Sequence, residues 1–428
     1  MIIVDSALKE REKTNNPVKV GIIGAGFMGR GTVLTIERSV PGMKVSALYN
    51  RTISRAEQGF DQANISDYMY VTSQDELDET IRSGGYTITD DPMLLCRSEE
   101  LDVIIEATGE IEFGAKVTVE AINHLKHVVL MNAELDATVG PLLKTMADEK
   151  GVIVTNADGD QPGVLMNLYR FVDTIGYKPV LAGNIKGLQD PYRTPETQKE
   201  FAKKHKQKPR MVTSFADGTK ISMEMAVVAN ATGFRCKTRG MYGPECDHVK
   251  EALGLFSEEE MMDGGMVDFI LGAEPGPGVF IIAYNDNPIQ QGYARYLKMG
   301  DGPFYTFYVP YHLPHLEVPL TAARAVLFSD AAIAPAGPPV CEVITLAKKD
   351  LKAGETLDGI GGFTTYGTLE NSDTSRAESL LPMGLSQDCV LKIDIERDEP
   401  VRLEDVDIPD GRLCDTLWQR QLDQFQEK

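Results

Sequence analysis

The chain has 428 residues, 43 Lys and Arg against 64 Asp and Glu, and a formal net charge of −21. That length exceeds one ordinary core and predicts two or three domains. The charge disfavours nucleic acid or an anionic membrane surface as partner, and no apolar run approaches the roughly 18 residues of a membrane span. Charged residues at Lys9, Glu10 and Arg11 follow the opening Met1-Ile2-Ile3-Val4 too soon for a signal peptide. Six scattered cysteines, with no C-x-x-C pair, predict reduced thiols in a cytoplasmic protein and no zinc site.

In chain order, residues 20–31 come first: an apolar strand, the turn Gly24-Ala25-Gly26-Phe27-Met28-Gly29, then a helix. Gly24 permits the tight turn, Gly26 lets the backbone approach a pyrophosphate, and Gly29 lets the helix pack on the strand. The helix N-terminus supplies N–H groups and a positive dipole. The pattern predicts a dinucleotide site. The second strand, residues 44–49, ends at Asn50-Arg51-Thr52. A site specific for NAD places Asp or Glu there to hold the ribose. Donors and a guanidinium predict NADPH instead.

Short β-branched runs at 101–109, 127–132 and 151–155 alternate with helical patterns at 115–123 and 141–149. This is the signature of an α/β, doubly wound parallel sheet of Rossmann type. Ligands bind at the carboxyl ends of such strands, so Ala107, Thr108, Gly109, Asn132 and Glu134 are expected at the nicotinamide end. Residues 53–90 form a long insert with no assigned role.

Beyond residue 156 the character changes. A polar loop precedes a helix near Gly163, with Pro162 in its first turn. Strands are expected at 279–284 and 293–299, and a helix at 320–329. Residues 335–339, Pro-Ala-Gly-Pro-Pro, read as a linker. A small β-rich unit follows, then a last helix holding Trp418. The expected domains are residues 1–155 for the nucleotide, 156–334 for catalysis and subunit contact, and 335–428 as a C-terminal unit.

The turn at 24–29 and the strand end Glu106-Ala107-Thr108-Gly109 resemble homoserine-dehydrogenase-like oxidoreductases. Residues 347–355 with Leu381-Pro382-Met383-Gly384-Leu385 resemble a SAF domain. Both parts together, with Asp158-Gly159-Asp160-Gln161-Pro162-Gly163 and residues 311–317, resemble the deoxyxylulose-phosphate-reductoisomerase-like group of some bacteria. That group also contains members acting on other small polyols or hydroxy acids. The resemblance implies NADPH-dependent conversion of 1-deoxy-D-xylulose 5-phosphate to 2-C-methyl-D-erythritol 4-phosphate, an isoprenoid precursor. It leaves open a homoserine-dehydrogenase-like NADP-dependent dehydrogenase of a small hydroxy acid or polyol. A third possibility is a non-catalytic, NADPH-binding regulatory protein.

Several residues are candidates for the chemistry. Homoserine dehydrogenases use an Asp and a Lys before a helix, and Asp217 and Lys220 match that pattern with the spacing changed by one. Lys220 and Glu224 share a helical face. The same residues also read as an N-cap aspartate with a solvated pair. Lys186 follows an apolar run and suits a strand end, where it would hold a phosphate or polarise a carbonyl. Asp160 is a candidate for moving protons. Asp158, Asp160 and Glu224 are weak candidates for a divalent metal, which wants oxygen ligands. Asp158 and Asp160 read equally well as turn residues capping the helix after Pro162. His312, His315 and Glu317 are expected to pack rather than bind metal, because Pro310, Pro314 and Pro319 oppose a regular helix, with His312 a possible substrate contact. Residues 193–210 hold Arg193, Lys199, Lys203, Lys204, Lys206, Lys208 and Arg210. They would close over a phosphorylated substrate or form a solvated face. The expected partners are a small phosphorylated substrate and further copies of the chain as a homodimer or higher homo-oligomer, with no nucleic acid and no membrane.

Overall fold

A computed structural model describes residues 3–425; Met1 and Ile2, where the signal-peptide expectation begins, lie outside the described residues. The chain forms two compact units. The first runs up to Asp160 and includes Leu313–Ala334 and Thr416–Gln421; the second comprises Gln161–His312, Pro335–Asp415 and the residues from Leu422 on.

The first unit is a doubly wound α/β sheet. Its strands are β1 (Val18–Ile23), β2 (Met43–Tyr49), β3 (Met69–Tyr70), β4 (Thr87–Thr89), β5 (Val103–Glu106), β6 (His127–Leu130) and β7 (Val154–Asn156). They lie in the order β3-β4-β2-β1-β5-β6-β7, and every pair is parallel. The order reverses beside β1, so ligand-binding loops gather at the carboxyl ends of β1 and β5. The long insert extends the sheet edge through β3, β4 and the helices Ile53–Gln62 and Gln74–Arg82. Val20, Ile22, Val103 and Ile105 are wholly buried, as expected for strands covered on both faces.

Helix Pro314–Phe328 belongs to this unit, with Val318, Ala322 and Ala323 in the same core as β1 and β5. The sequence places its start six residues later and sets the prolines against it. Pro314 occupies the first turn, where no intrahelical N–H is needed. Pro319 removes only one backbone bond inside a helix held by packing. Glu317 Oε1 accepts the Leu313 N–H at 3.1 Å, which closes the helix start.

The second unit has a four-stranded sheet of β8 (Lys178–Lys186), β9 (Met266–Leu271), β10 (Gly278–Tyr284) and β11 (Phe304–Val309) in the order β11-β10-β8-β9. Helix Gln161–Thr174 packs on it. A two-stranded ladder of β12 (Cys341–Ala347) and β13 (Thr365–Asn371) packs against helix Thr219–Thr232. The strand expected at 293–299 is instead largely helix Pro288–Tyr296 and the residues after it. Asn287 Oδ1 accepts the N–H groups of Ile289 and Gln290 at 3.0 and 3.2 Å, and Pro288 takes the first helical position. That cap overrides the aromatic strand propensity. Among the described residues no helix is long and apolar enough to cross a membrane.

Asp136, in the first turn of helix Ala133–Lys150, is buried and accepts Asn156 Nδ2 at 3.2 Å. Burial pushes its carboxyl up to about 6. A raised carboxyl pKa favours the folded state most when protonated, so this contribution is lost as pH rises from about 4 to about 6. Asp136→Asn keeps the shape and removes the charge. Paired urea unfolding at pH 5 and pH 7.5 is expected to show a stabilising difference that grows with pH, on the order of 1–2 kcal/mol. An unchanged difference would contradict a buried, reluctant carboxylate.

Candidate active site

In the first unit the glycine turn has the geometry its spacing requires. Gly24 has φ +113°, and a Cβ there would stand 2.9 Å from the Ala107 carbonyl oxygen. At Gly29 a Cβ would stand 1.9 Å from the Gly24 carbonyl oxygen, so only glycine allows this approach. At Gly26 a Cβ would meet nothing within 4 Å. Gly26 is the N-cap of helix Phe27–Ser39, and no side chain caps that end. Open space before an uncapped helix N-terminus fits the phosphates of a dinucleotide. Phe27 is exposed and Met28 half-buried at the first helical positions.

The Ala25 peptide is held on both sides. Its N–H donates to Asn50 Oδ1 at 3.1 Å, and its carbonyl accepts Arg30 Nη1 at 2.7 Å. Asn50 Nδ2 donates to the Thr52 carbonyl at 2.9 Å. Asn50 therefore holds the turn, while Arg51 and Thr52 are exposed beside it. Arg30 escaped the sequence reading; its only signal is a cation directly after the last glycine of the turn.

At the carboxyl ends of β5 and β6 a buried network ties two loops together. Glu106 Oε1 accepts the Thr108 N–H at 2.8 Å and also the Thr108 hydroxyl. Its Oε2 accepts Asn132 Nδ2 at 2.8 Å. Asn132 also caps the helix behind it through the Leu135 N–H at 3.1 Å. Burial raises the Glu106 carboxyl, and the hydrogen bonds from Thr108 and Asn132 oppose the rise. Asn132 thus fixes this end from inside, Glu134 is buried in the next turn, and Ala107, Thr108 and Gly109 stay partly open. Glu106 is a positioning residue that spacing alone does not reveal, since it reads as the last residue of a buried strand.

In the second unit, Lys186 ends β8. Its Nζ donates to Glu224 Oε2 at 2.8 Å and to Gln161 Oε1. Asn184 Nδ2 donates to the same Glu224 oxygen at 3.0 Å, and Gln161 Nε2 donates to the Gly278 carbonyl at 2.8 Å. The Glu224 side chain is 3% exposed and that of Lys186 is 20% exposed. A buried carboxylate therefore holds an ammonium that remains open on one side. A cavity of roughly 560 Å³ lies just past the strand end, lined by Gly187, Gln189, Cys246 and Gly272 among others.

The Asp217–Lys220 expectation divides. Asp217 is wholly buried and pairs with Lys348 Nζ at 2.9 Å. Lys348 also donates to the carbonyls of Arg193 and Gly362 at 2.7 and 2.9 Å. Burial raises the Asp217 carboxyl and Lys348 opposes it. Asp217 accepts the Thr219 N–H at 3.0 Å, which places it at the helix start. Lys220 is half-buried in the first turn, one turn from Glu224. The ion pair of Glu224 is with Lys186.

Among the described residues no three His, Cys, Asp or Glu side chains are grouped to hold a metal ion. Asp158 is instead gripped by Arg324 Nη1, at 3.0 and 3.3 Å from its two oxygens. Asp160 is half-buried at the end of that loop. Glu224 is held by Lys186 and Asn184. His315 packs edge-on to Phe27, with ring centroids 6.4 Å apart. Within the basic stretch, Arg193 pairs with Asp190 at 2.9 Å and Arg210 donates to the Ile360 carbonyl at 3.2 Å. Lys203, Lys204, Lys206 and Lys208 are exposed.

Residues 159–318 match the family model "Oxidoreductase DRL, catalytic domain". That span contains Lys186, Glu224, Gln161 and Asn184. The chain is also 33% identical over 138 residues to a homoserine dehydrogenase of Pseudomonas aeruginosa, covering 32% of this chain and 28% of that protein. It is 28% identical over 134 residues to a homoserine dehydrogenase of Bacillus subtilis, covering 31% and 28%. The matched stretches thus span under a third of those relatives. Among solved structures, scyllo-inositol dehydrogenase from Lactobacillus casei aligns with a TM-score of 0.39 at 10% identity, covering 74% of this chain and 89% of that one.

Gly26→Ala separates folding from binding. Because its Cβ meets nothing, the variant is expected to keep the wild-type melting temperature. It should bind reduced nicotinamide nucleotide at least about tenfold more weakly in a fluorescence titration, through intrusion on the phosphate space. Unchanged binding would remove the turn as the phosphate site.

Proposed function

We propose that the chain is an NADPH-dependent oxidoreductase of a small phosphorylated carbonyl compound, and that its reaction is the reductive rearrangement of 1-deoxy-D-xylulose 5-phosphate. The first unit holds the nucleotide and the second carries the proton donor; residues 335–428 act as a SAF-like support. The observation that carries the proposal is Lys186, fixed by two acceptors yet open on one side. When bound, the reduced nicotinamide supplies a hydride to the carbonyl carbon. The Lys186 ammonium donates to the carbonyl oxygen and hands it a proton as negative charge develops there. Glu224 and Gln161 accept from the Lys186 ammonium and so set the direction of its remaining N–H. Asp217, shut away with Lys348, steadies the start of helix Thr219–Thr232 and touches no substrate. The absence of a carboxylate after β2, with Arg51 exposed there, supports NADPH over NADH.

A homoserine-dehydrogenase-like oxidation of a hydroxy acid or polyol is the second reading, favoured by the 33% identity over 138 residues. Incubating the protein with NADPH and deoxyxylulose phosphate decides between them. Loss of nicotinamide absorbance with formation of the methylerythritol product supports the rearrangement. No loss, with NADP reduction by a hydroxy acid or polyol, supports the dehydrogenase. No turnover with any of these substrates, despite nucleotide binding, would leave a regulatory protein. Lys186→Met is expected to lower kcat by about 100-fold or more while leaving nucleotide affinity unchanged. Arg51→Asp should weaken NADPH by about 10- to 100-fold and NADH far less, as loss of a charge-assisted phosphate contact requires. Equal losses would contradict the NADPH assignment.

A further inference from the structure

One helix of the second unit presents its apolar side to water. Residues 285–303 leave the sheet at the paired residues Tyr284 and Phe304, which join β10 to β11, and carry helix Pro288–Tyr296. Ile289, Tyr293, Tyr296 and Leu297 recur at i, i+4, i+7 and i+8 and so share one face. They are 70%, 68%, 83% and 68% exposed, and Met299 just beyond is 39% exposed. The buried Ala294 and half-buried Gln291 lie on the opposite side, toward the fold. A surface helix ordinarily does the reverse and turns its apolar stripe to the core.

The arm is braced at its base. Asn285 Nδ2 donates to the Gly176 carbonyl at 3.2 Å and to Gln290 Oε1 at 2.6 Å, and Gln291 Nε2 donates to the Asn285 carbonyl at 3.0 Å. Arg295 pairs with Asp301 at 2.8 Å. A helix of 9 residues is marginal in water without tertiary packing, so one that buries Ala294 and exposes its stripe calls for a cover. β11 follows the arm as an edge strand. Among the described residues, no backbone group of Phe304–Val309 bonds on the side away from β10. Its residues, Phe-Tyr-Thr-Phe-Tyr-Val, include none of the charges or prolines that guard the sheet edge of a monomer. The opposite edge, β9, is bridged by Arg235 and Glu245.

We propose that a second copy of this chain covers the arm 288–299 and the free edge of β11, in an isologous dimer to which each copy brings the same patch. The five apolar side chains of the arm expose roughly 600 Å², since an aromatic side chain alone carries about 150–250 Å². With the edge of β11 this approaches the about 800 Å² that each partner gives a stable interface. Charge selects the partner. Two chains of net charge −21 repel over most of their surfaces. The five side chains and β11 carry no charge, and Arg295 is matched by Asp301, so two copies meet here without like-charge repulsion. An anionic bilayer would call for clustered cations beside the stripe, whereas the arm holds only Arg295 and Lys298. The arm takes no part in the chemistry assigned to Lys186.

Sedimentation equilibrium of the whole wild-type protein across the micromolar range is expected to give twice the chain mass. Tyr293→Glu combined with Leu297→Glu sets carboxylates against their own images. It should weaken self-association by at least about 100-fold while the circular dichroism spectrum stays that of the wild type. Ile393→Glu, at an exposed apolar residue elsewhere in the second unit, should leave the dimer intact. In the wild type, backbone amides of residues 288–309 should exchange hydrogen faster on dilution through the dissociation range, a reading that stands should the double variant not fold. Four outcomes would overturn the proposal. They are single chains at every concentration, a dimer that the double variant leaves intact, a dimer that Ile393→Glu disrupts equally, and single chains that bind anionic vesicles through the arm.

Discussion

The contact between Gly29 and the Gly24 carbonyl governs the first unit. It leaves no room for a side chain, so helix Phe27–Ser39 is drawn tight against the end of β1. That approach aims an uncapped helix end at the space before Gly26. The Ala25 peptide, gripped by Asn50 on one side and Arg30 on the other, stiffens the same turn. Glu106 performs the matching task at the ends of β5 and β6, where it joins Thr108 to Asn132. A site organised before its ligand arrives loses less freedom on binding.

The second unit uses a buried carboxylate to place a cation. Removing Glu224 and Lys186 from water is expensive, and such pairs are weak evidence for stability. Their worth lies in direction: Glu224, Gln161 and the strand end hold the ammonium in one place. Asp217 and Lys348 repeat the motif without an opening to solvent. There the lysine ties the ladder of β12 and β13 to the Arg193 and Gly362 backbones. The first pair keeps its ammonium partly exposed, whereas the second is sealed on every side.

The glycine turn and the parallel strands were legible because local sterics dictate them. Gly24 and Gly29 meet backbone, so their identity carries information. Lys186 was legible as a strand end, but its partners were not. Glu224 and Gln161 reach it from distant helices, and nothing in local spacing encodes that meeting. Asp217 was legible as a helix start, but its partner Lys348, 131 residues away, was not. The first turns of helix Pro314–Phe328 are not legible locally because proline disfavours a helix interior, whereas packing of Val318 and Ala322 on the sheet decides there. The hold of the Asn50 side chain on the Ala25 N–H has no local signal, because the two residues are 25 positions apart.

The most direct measurement is an equilibrium titration of the purified wild-type chain with NADPH and with NADH, followed by calorimetry at fixed salt. Saturable binding of both, with NADPH held more tightly, is the outcome that an uncapped helix end and an exposed Arg51 require. Heat changes no larger than dilution for either nucleotide would contradict it.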